Sequence, residues 1–464
     1  MLSRLLFNGL LLVILGSSLF WGTSARADTP AASSPAAAEG YRLLLEKSYL
    51  TPDFDDEVFD ELWKAWEEPL RSQAEKATVA ERRAMAYRRY GLTPRPVNGA
   101  AETSSRPLQY VNNGQHGWVM NCFACHGGQV DGRVIPGAPN TLYDLQTLTE
   151  EVRITKLRLG KNLTHMDKGS FLYPLSQSVG TTNAVMFGTI LLTFREPDLT
   201  VNLDRTLPAL VHHDHDAPPW WHYRKKSRLY ADGFAPKSHR ALLQFLLIPR
   251  NGPNKFREWE ADYEKIGQWM ESIEPPRYPG KIDEPLAAEG AKAFRRECAR
   301  CHGTYGNEAS YPEKTIPLAE VGTDRARFNS LDGPGRQRWG DSWFGYYGKL
   351  ETRAAPAGYV APPLDGLWAS PPYLHNGSVP TLWHLLHPEE RPRVWQRSVD
   401  GYDHERIGLE VTTFDEIPAA VTDPRTRRRY FDTRLFGKSA AGHDYPAALT
   451  EPEKRAVLEY LKTL

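Results

Sequence analysis

The sequence predicts a mainly α protein: two similar small domains with long loop insertions, behind a helical N-terminal segment. Three observations carry that expectation. A five-residue motif occurs twice, as Cys122-Phe123-Ala124-Cys125-His126 and as Cys298-Ala299-Arg300-Cys301-His302. A helical pattern flanks each copy, with glycine and an aromatic residue eight and four residues upstream: Gly114 and Trp118, then Gly290 and Phe294. The length, 464 residues, suffices for two or three domains.

The repeated motif is the attachment pattern of c-type haem. Its two thiols add to the haem vinyl groups and its imidazole ligates iron. The two copies use all 4 cysteines. A four-cysteine zinc site or two redox Cys-x-x-Cys pairs would account for the cysteines, but not for the histidine that follows both. Zinc ribbons also place their pairs roughly 15–20 residues apart, and here most of the chain separates them. The motifs therefore predict two covalent haems, held by Cys122, Cys125, Cys298 and Cys301, with His126 and His302 as iron ligands.

The N-terminus reads as a secretory signal over 1–27: Arg4, an apolar run over 5–21, and Ala25-Arg26-Ala27 as a small-x-small cleavage site. Asn8, Gly9 and Ser17-Ser18 interrupt the run, which falls short of the roughly 20 residues a membrane span needs. No later stretch is long and apolar enough to cross a bilayer, so a periplasmic or secreted protein is expected, with a bacterial periplasm the setting that suits haem attachment. Without Arg4 and Arg26, the 57 basic residues fall two short of the 57 acidic ones, a net charge of about −2 that gives no support for nucleic-acid binding. Residues 28–39, rich in Ala, Ser and Pro, read as a flexible leader.

From 40 to 107 the pattern is helical. Asp53 or Asp55 can cap a helix carrying Val58, Phe59, Leu62 and Trp66 at three- and four-residue intervals. Thr78-x-x-Glu81 fits a capping box for a second helix over 78–90. This segment should pack as a cover on the first haem domain, 108–275; the second domain is 280–464. Residues four apart share a helix face, and glycine lets another backbone approach closely. Each haem motif should therefore follow a helix with a notch and an aromatic knob, closed by a complementary helix. Ile266-x-x-Trp269-Met270 and Val457-x-x-Tyr460-Leu461 supply the closing pattern, the latter behind Thr450-x-x-Glu453 with Pro452 in the first turn.

These opening and closing helices resemble those of the cytochrome c domain. The wider chain is similar to the bacterial di-haem cytochrome c peroxidase superfamily, and within it most like the rubber oxygenase branch. The residues that carry this are Asn121-Cys-Phe-Ala-Cys-His-Gly-Gly128, Pro218-Pro-Trp-Trp221, Pro362-Pro-Leu-Asp-Gly-Leu-Trp368, Pro371-Pro-Tyr-Leu-His-Asn-Gly-Ser-Val-Pro-Thr-Leu382 and Gly442-His-Asp-Tyr445.

The face of each iron opposite its motif histidine decides function: two strong protein ligands make an electron-transfer iron, and an open face permits peroxide or dioxygen chemistry. The last methionine is Met270, so the second domain can offer only His375, His384, His387, His404 or His443. The resemblance implies His443, and Gly442 beside it suits a bend toward the haem. His375 reads as structural, in a turn at Asn376-Gly377. For the first iron the candidates are His165, Met166, Met186, the cluster His212, His213 and His215, or no protein ligand; the resemblance favours an open site. It also implies a tryptophan between the haems, for which Trp220 and Trp221 are the candidates, and a Ca2+ held by backbone carbonyls mapping onto Ser370 and Pro372. The basic run Arg224-Lys225-Lys226 pairs with haem propionates or is solvated. Phe187 is a candidate lining for a distal pocket, with core packing as its alternative.

The expected function is an exported di-haem oxidoreductase, peroxidase-like or oxygenase-like, with one haem reactive and the other relaying electrons. Its partners would be a small cytochrome or cupredoxin and peroxide, dioxygen or an organic substrate. The rival is a plain di-haem electron carrier.

Overall fold

Helix α1 (Pro35–Glu46) starts at Ser34, whose side chain accepts a hydrogen bond from the Ala37 amide, with proline in the first turn. Its partner is the long helix α2 (Pro253–Ser272). A second pair repeats the arrangement: α3 (Glu284–Glu297), capped by Asp283, and α4 (Glu451–Leu461), entered through the expected Thr450–Glu453 capping box. The computed structural model describes residues 26–27, 34–97, 100–102, 106–207, 209 and 211–464.

Glycine fixes both crossings. A Cβ on Gly40 would stand 2.2 Å from the Lys265 carbonyl oxygen of α2, and one on Gly290 would stand 1.9 Å from the Ala456 carbonyl oxygen of α4. Only a residue without a side chain admits a backbone that close. Aromatic knobs sit beside the notches: Tyr41 packs on Trp269 with centroids 4.9 Å apart, and Phe294 on Tyr460 at 5.2 Å. The closing patterns at Ile266–Trp269 and Val457–Tyr460 thus lie where the sequence placed them.

The opening helix of the first pair does not. Gly114 and Trp118 belong to a β-hairpin of Tyr110–Asn112 and Gly117–Met120. Asn112-Asn113-Gly114 is a turn signal, and Asn113 Oδ1 accepts hydrogen bonds from the Gln115 and Gly117 amides. Gly114 takes φ 81° with no atom near its would-be Cβ, so it serves the turn and no crossing. Trp118 faces the N-terminal segment, stacked on Phe59 at 4.2 Å and donating to Asp56 Oδ1 at 2.7 Å. The true opening helix, α1, lies within the stretches read as flexible leader and cover. The expected signal segment lies outside the described residues, apart from the two-residue strand Arg26–Ala27.

The rest of the N-terminal segment builds a core of its own. Asp55 caps Asp56–Glu61, and Val79–Tyr90 carries the Thr78–Glu81 capping box and ends on Gly91 in the left-handed conformation. Val58, Phe59, Leu62, Trp66, Tyr90 and Trp118 are buried there together. The whole is mixed rather than mainly α, with 43% helix and 14% strand. Most strands are too short for alternation to show in the sequence; the exception is the three-stranded sheet of Val394–Asp403, Gly408–Phe414 and Tyr430–Asp432. Among the described residues no helix is long and apolar enough to cross a membrane.

Two histidines packed into the second half make stability acid-sensitive. Burial lowers His375 to about 3 and His384 to about 4, against 6.5 in the unfolded chain. Below 6.5 the unfolded state takes up protons that the folded state refuses, so stability present above 6.5 is lost as pH falls toward 4 and then 3. The melting temperature should be flat from pH 8 to 7 and fall below 6.5, less steeply in His384→Gln.

Candidate haem site

The second motif is the more fully built. Helix α3 runs directly into Cys298 and the single turn Ala299–His302. Burial and the Glu297 carboxylate push the Cys298 thiol up to about 12, so it stays protonated. The His302 Nδ1 lies 2.8 Å from the Pro362 carbonyl oxygen. A carbonyl can only accept, so Nδ1 carries the proton and the Nε2 lone pair is left to bind a metal.

His443 faces this imidazole, ring centroids 6.1 Å apart. Haem iron, held by His302, would have His443 as its protein residue on the opposite side. The backbone aims it. Gly442 takes φ 80°, where a Cβ would stand 2.3 Å from the Gly322 carbonyl carbon; His443 takes φ 54° and donates its amide to the Val321 carbonyl at 2.7 Å. Burial, then the neighbouring His302, lowers His443 to about 3, which keeps it in the neutral form that ligates. Of the other candidates, His387 pairs with Glu451, His384 with Thr381, and His404 with Asp131. His375 sits in the expected turn, closed by the Gly377 amide on the Leu374 carbonyl, but its ring packs on Tyr359 with a buried, unpartnered Nε2.

The first motif is a single helical turn, Phe123–His126, following a strand. Burial raises both thiols, Cys122 to about 12; the Tyr263 hydroxyl lies beside Cys122 and the Thr182 hydroxyl beside Cys125. Burial lowers His126 to about 3. The Pro218 carbonyl faces His126 as Pro362 faces His302, but more loosely: His126 Nδ1 makes no hydrogen bond of standard geometry. The ring packed on His126 is Trp220, at 4.6 Å. Phe123, Trp269 and Tyr41 complete the aromatic surround.

Trp220 and Trp221 point to different sites. Trp221 is 1% exposed and donates Nε1–H to the Asp365 carbonyl at 2.7 Å, three residues from the Pro362 that orients His302. Lys225 pairs with the Asp365 carboxylate and Arg224 with Glu274, so protein carboxylates hold both. Phe187 lies in the helix Ala184–Thr193 with its ring edge-on to Tyr173 at 5.5 Å. His165 hydrogen bonds to Thr51 and faces Asp53, and Met186 is buried.

Two features escaped the sequence. Ala217-Pro218-Pro219 and Ala361-Pro362-Pro363 form a second internal repeat that supplies the carbonyl for each motif histidine; the repeated tripeptide was its signal. Arg327 is 1% exposed, yet no guanidinium nitrogen has a hydrogen-bond partner, and the Asp232 carboxylate lies 3.7 Å away. A buried cation left unsatisfied fits an absent acid group such as a propionate. His213 and His215, with Nε2 atoms 2.6 Å apart, lie beside it, and His215 pairs through its backbone with Thr182, the residue on Cys125. The sequence offers His213 and His215 as part of a histidine cluster, but nothing in it places Arg327 beside them.

The thiol pairs, the imidazoles facing proline carbonyls, and Arg327, ion-paired with Asp232 but without a hydrogen bond, fit a c-type haem. Residues 358–396 match the RoxA-like, cytochrome c-like family. The RoxA-like match contains Pro362, Trp368 and the 371–382 loop, and a cytochrome c-like domain implies a c-type haem and suggests a haem oxidoreductase. Two uncharacterized proteins of Sinorhizobium fredii are similar: y4iM, 28% identical over 254 residues (49% of this chain, 56% of the relative), and y4iJ, 31% identical over 258 residues (41% of each). The chain spans about half the length of these curated relatives.

Proposed function

We propose that the protein is an exported di-haem c-type cytochrome oxidoreductase of the rubber oxygenase type, with one haem on Cys122, Cys125 and His126 and a second on Cys298, Cys301 and His302. Haem iron supplies one-electron redox chemistry, and reacts with peroxide or dioxygen where an axial position is open. The observation that carries the proposal is the inequality of the two histidines: His302 faces His443, whereas His126 packs on Trp220. His302 and His443 make the second site a relay. Trp220 and Trp221 connect the two, one on His126 and the other on the loop that orients His302. Phe187 lines the approach to the first site, where an apolar surround suits dioxygen and an organic substrate such as an isoprenoid. A Ca2+ on the Ser370 and Pro372 carbonyls would brace the loop between them. The redox partner is a small periplasmic cytochrome or cupredoxin.

Ferric optical and EPR spectra test this. One low-spin and one high-spin or cyanide-exchangeable haem are expected. Two low-spin haems that bind neither cyanide nor carbon monoxide in any redox state would make the protein an electron carrier. Peroxide turnover set against oxidative cleavage of an isoprenoid then separates peroxidase from oxygenase.

A further inference from the structure

We propose that Tyr278 is a redox-active tyrosine that gives its electron to Trp368 and its phenolic proton to His404, forming a port between the buried sites and solvent.

Tyr278 lies in the segment joining α2 to α3. Its hydroxyl is 3.1 Å from His404 Nδ1, and His404 Nε2 is 3.2 Å from Asp131 Oδ1. With His404 neutral, these distances set the direction of the hydrogen bonds; the hydroxyl's other acceptor, the His404 carbonyl oxygen, is farther, at 3.5 Å. A carboxylate can only accept, so Nε2 carries the imidazole proton and Nδ1 offers its lone pair to the phenol. The hydroxyl therefore already points its proton at a base, and Asp131 is placed to hold the imidazolium that results.

On the other side the Tyr278 ring stands edge-on to Trp368, centroids 5.6 Å apart. Trp368 is fully buried and donates Nε1–H to the Pro276 carbonyl at 2.7 Å. Two residues earlier, Gly366 abuts Trp221: a Cβ there would stand 2.9 Å from the indole Nε1. Trp221 adjoins Trp220, which stacks on His126. The path from the first motif to His404 thus has ring contacts at its two ends, His126–Trp220 and Trp368–Tyr278–His404, joined through the Trp220–Trp221 backbone and Gly366; the His404 side chain is 46% exposed.

Tyr402 also packs edge-on to Trp368, at 6.1 Å, but its hydroxyl donates to the Trp368 carbonyl at 2.8 Å. An amide carbonyl is a far weaker base than imidazole, so a proton leaving Tyr402 has nowhere to go. The Lys462 ammonium sits 5.5 Å from the Tyr278 ring centroid. It disfavours a cationic ring and leaves a neutral radical untouched, so electron and proton must leave together.

The step balances as follows. A one-electron oxidant, in the natural case a haem oxidised by peroxide and acting through Trp220 and Trp221, takes an electron from Trp368. Tyr278 refills Trp368, its O–H bond breaks, and the proton passes to His404 Nδ1. The neutral tyrosyl radical is then reduced by an external one-electron donor, and His404 returns the proton. The natural oxidant rests on the function proposed above; the tyrosine, histidine and carboxylate do not.

The test is freeze-quench EPR of the holoprotein in two arms, one oxidised by photogenerated ruthenium(III) tris-bipyridine and one by hydrogen peroxide. In the ruthenium arm a tyrosyl signal is expected that is largely lost in Tyr278→Phe, retained in Tyr402→Phe and weakened in His404→Gln, with haem optical spectra and circular dichroism unchanged. Equal signals in wild type and Tyr278→Phe would overturn the proposal, and equal signals in wild type and His404→Gln would overturn the proton transfer. A Tyr278-dependent signal in the ruthenium arm, without any reaction in the peroxide arm, would uphold the tyrosine and overturn peroxide activation.

Discussion

His443→Ala is expected to turn one haem of the ferric protein from low to high spin and leave the other unchanged. On the function proposed above, the imidazole facing His302 is the second ligand of that iron, and its removal leaves water or nothing in its place. Optical and EPR spectra read the change directly. His375→Ala is the control: its ring packs on Tyr359, so the low-spin signal should survive. Low-spin signals unchanged in His443→Ala would mean that another group ligates opposite His302.

The largest stability effect is expected at Gly290. An alanine Cβ there would stand 1.9 Å from the Ala456 carbonyl oxygen, and neither backbone can yield without parting α3 from α4. Gly290→Ala should cost about 3 kcal/mol or more, read as a lowered urea midpoint, and Gly40→Ala should behave alike at the α1–α2 crossing. Gly114→Ala places its methyl in open space, at the cost only of a left-handed φ, about 1 kcal/mol. Equal losses at Gly114 and Gly40 would contradict the assignment of α1 as the first opening helix.

That contrast shows what the sequence can disclose. Local pattern at fixed spacing was legible: the Thr450–Glu453 box and the closing patterns of α2 and α4. Gly442 also announced the bend that carries His443. The first opening helix was not legible, because a helix crossing requires Gly40 to meet Lys265 in space and nothing requires α1 to adjoin Cys122 in the chain. A whole subdomain intervenes, and Gly114 with Trp118 reproduced the spacing by coincidence within a hairpin. The Arg327 site assembles from segments far apart in the chain, and although the sequence offers His213 and His215 as part of a histidine cluster, Arg327 and Asp232 alone look like ordinary polar residues. Trp220 and Trp221 were found as a pair, but only coordinates show that one turns to His126 and its neighbour to Asp365.

The hook that Gly442 and His443 make on Val321 and Gly322 ties coordination to completion of the fold. Both Cys-x-x-Cys-His motifs precede it, so a chain cut anywhere after His302 and before His443 would keep both of the proposed attachment motifs. Such a fragment lacks both the facing imidazole and α4, the helix that clasps α3. With haem bound as proposed, its visible spectrum would differ from that of the intact molecule, and colour would distinguish sound from clipped protein in a preparation.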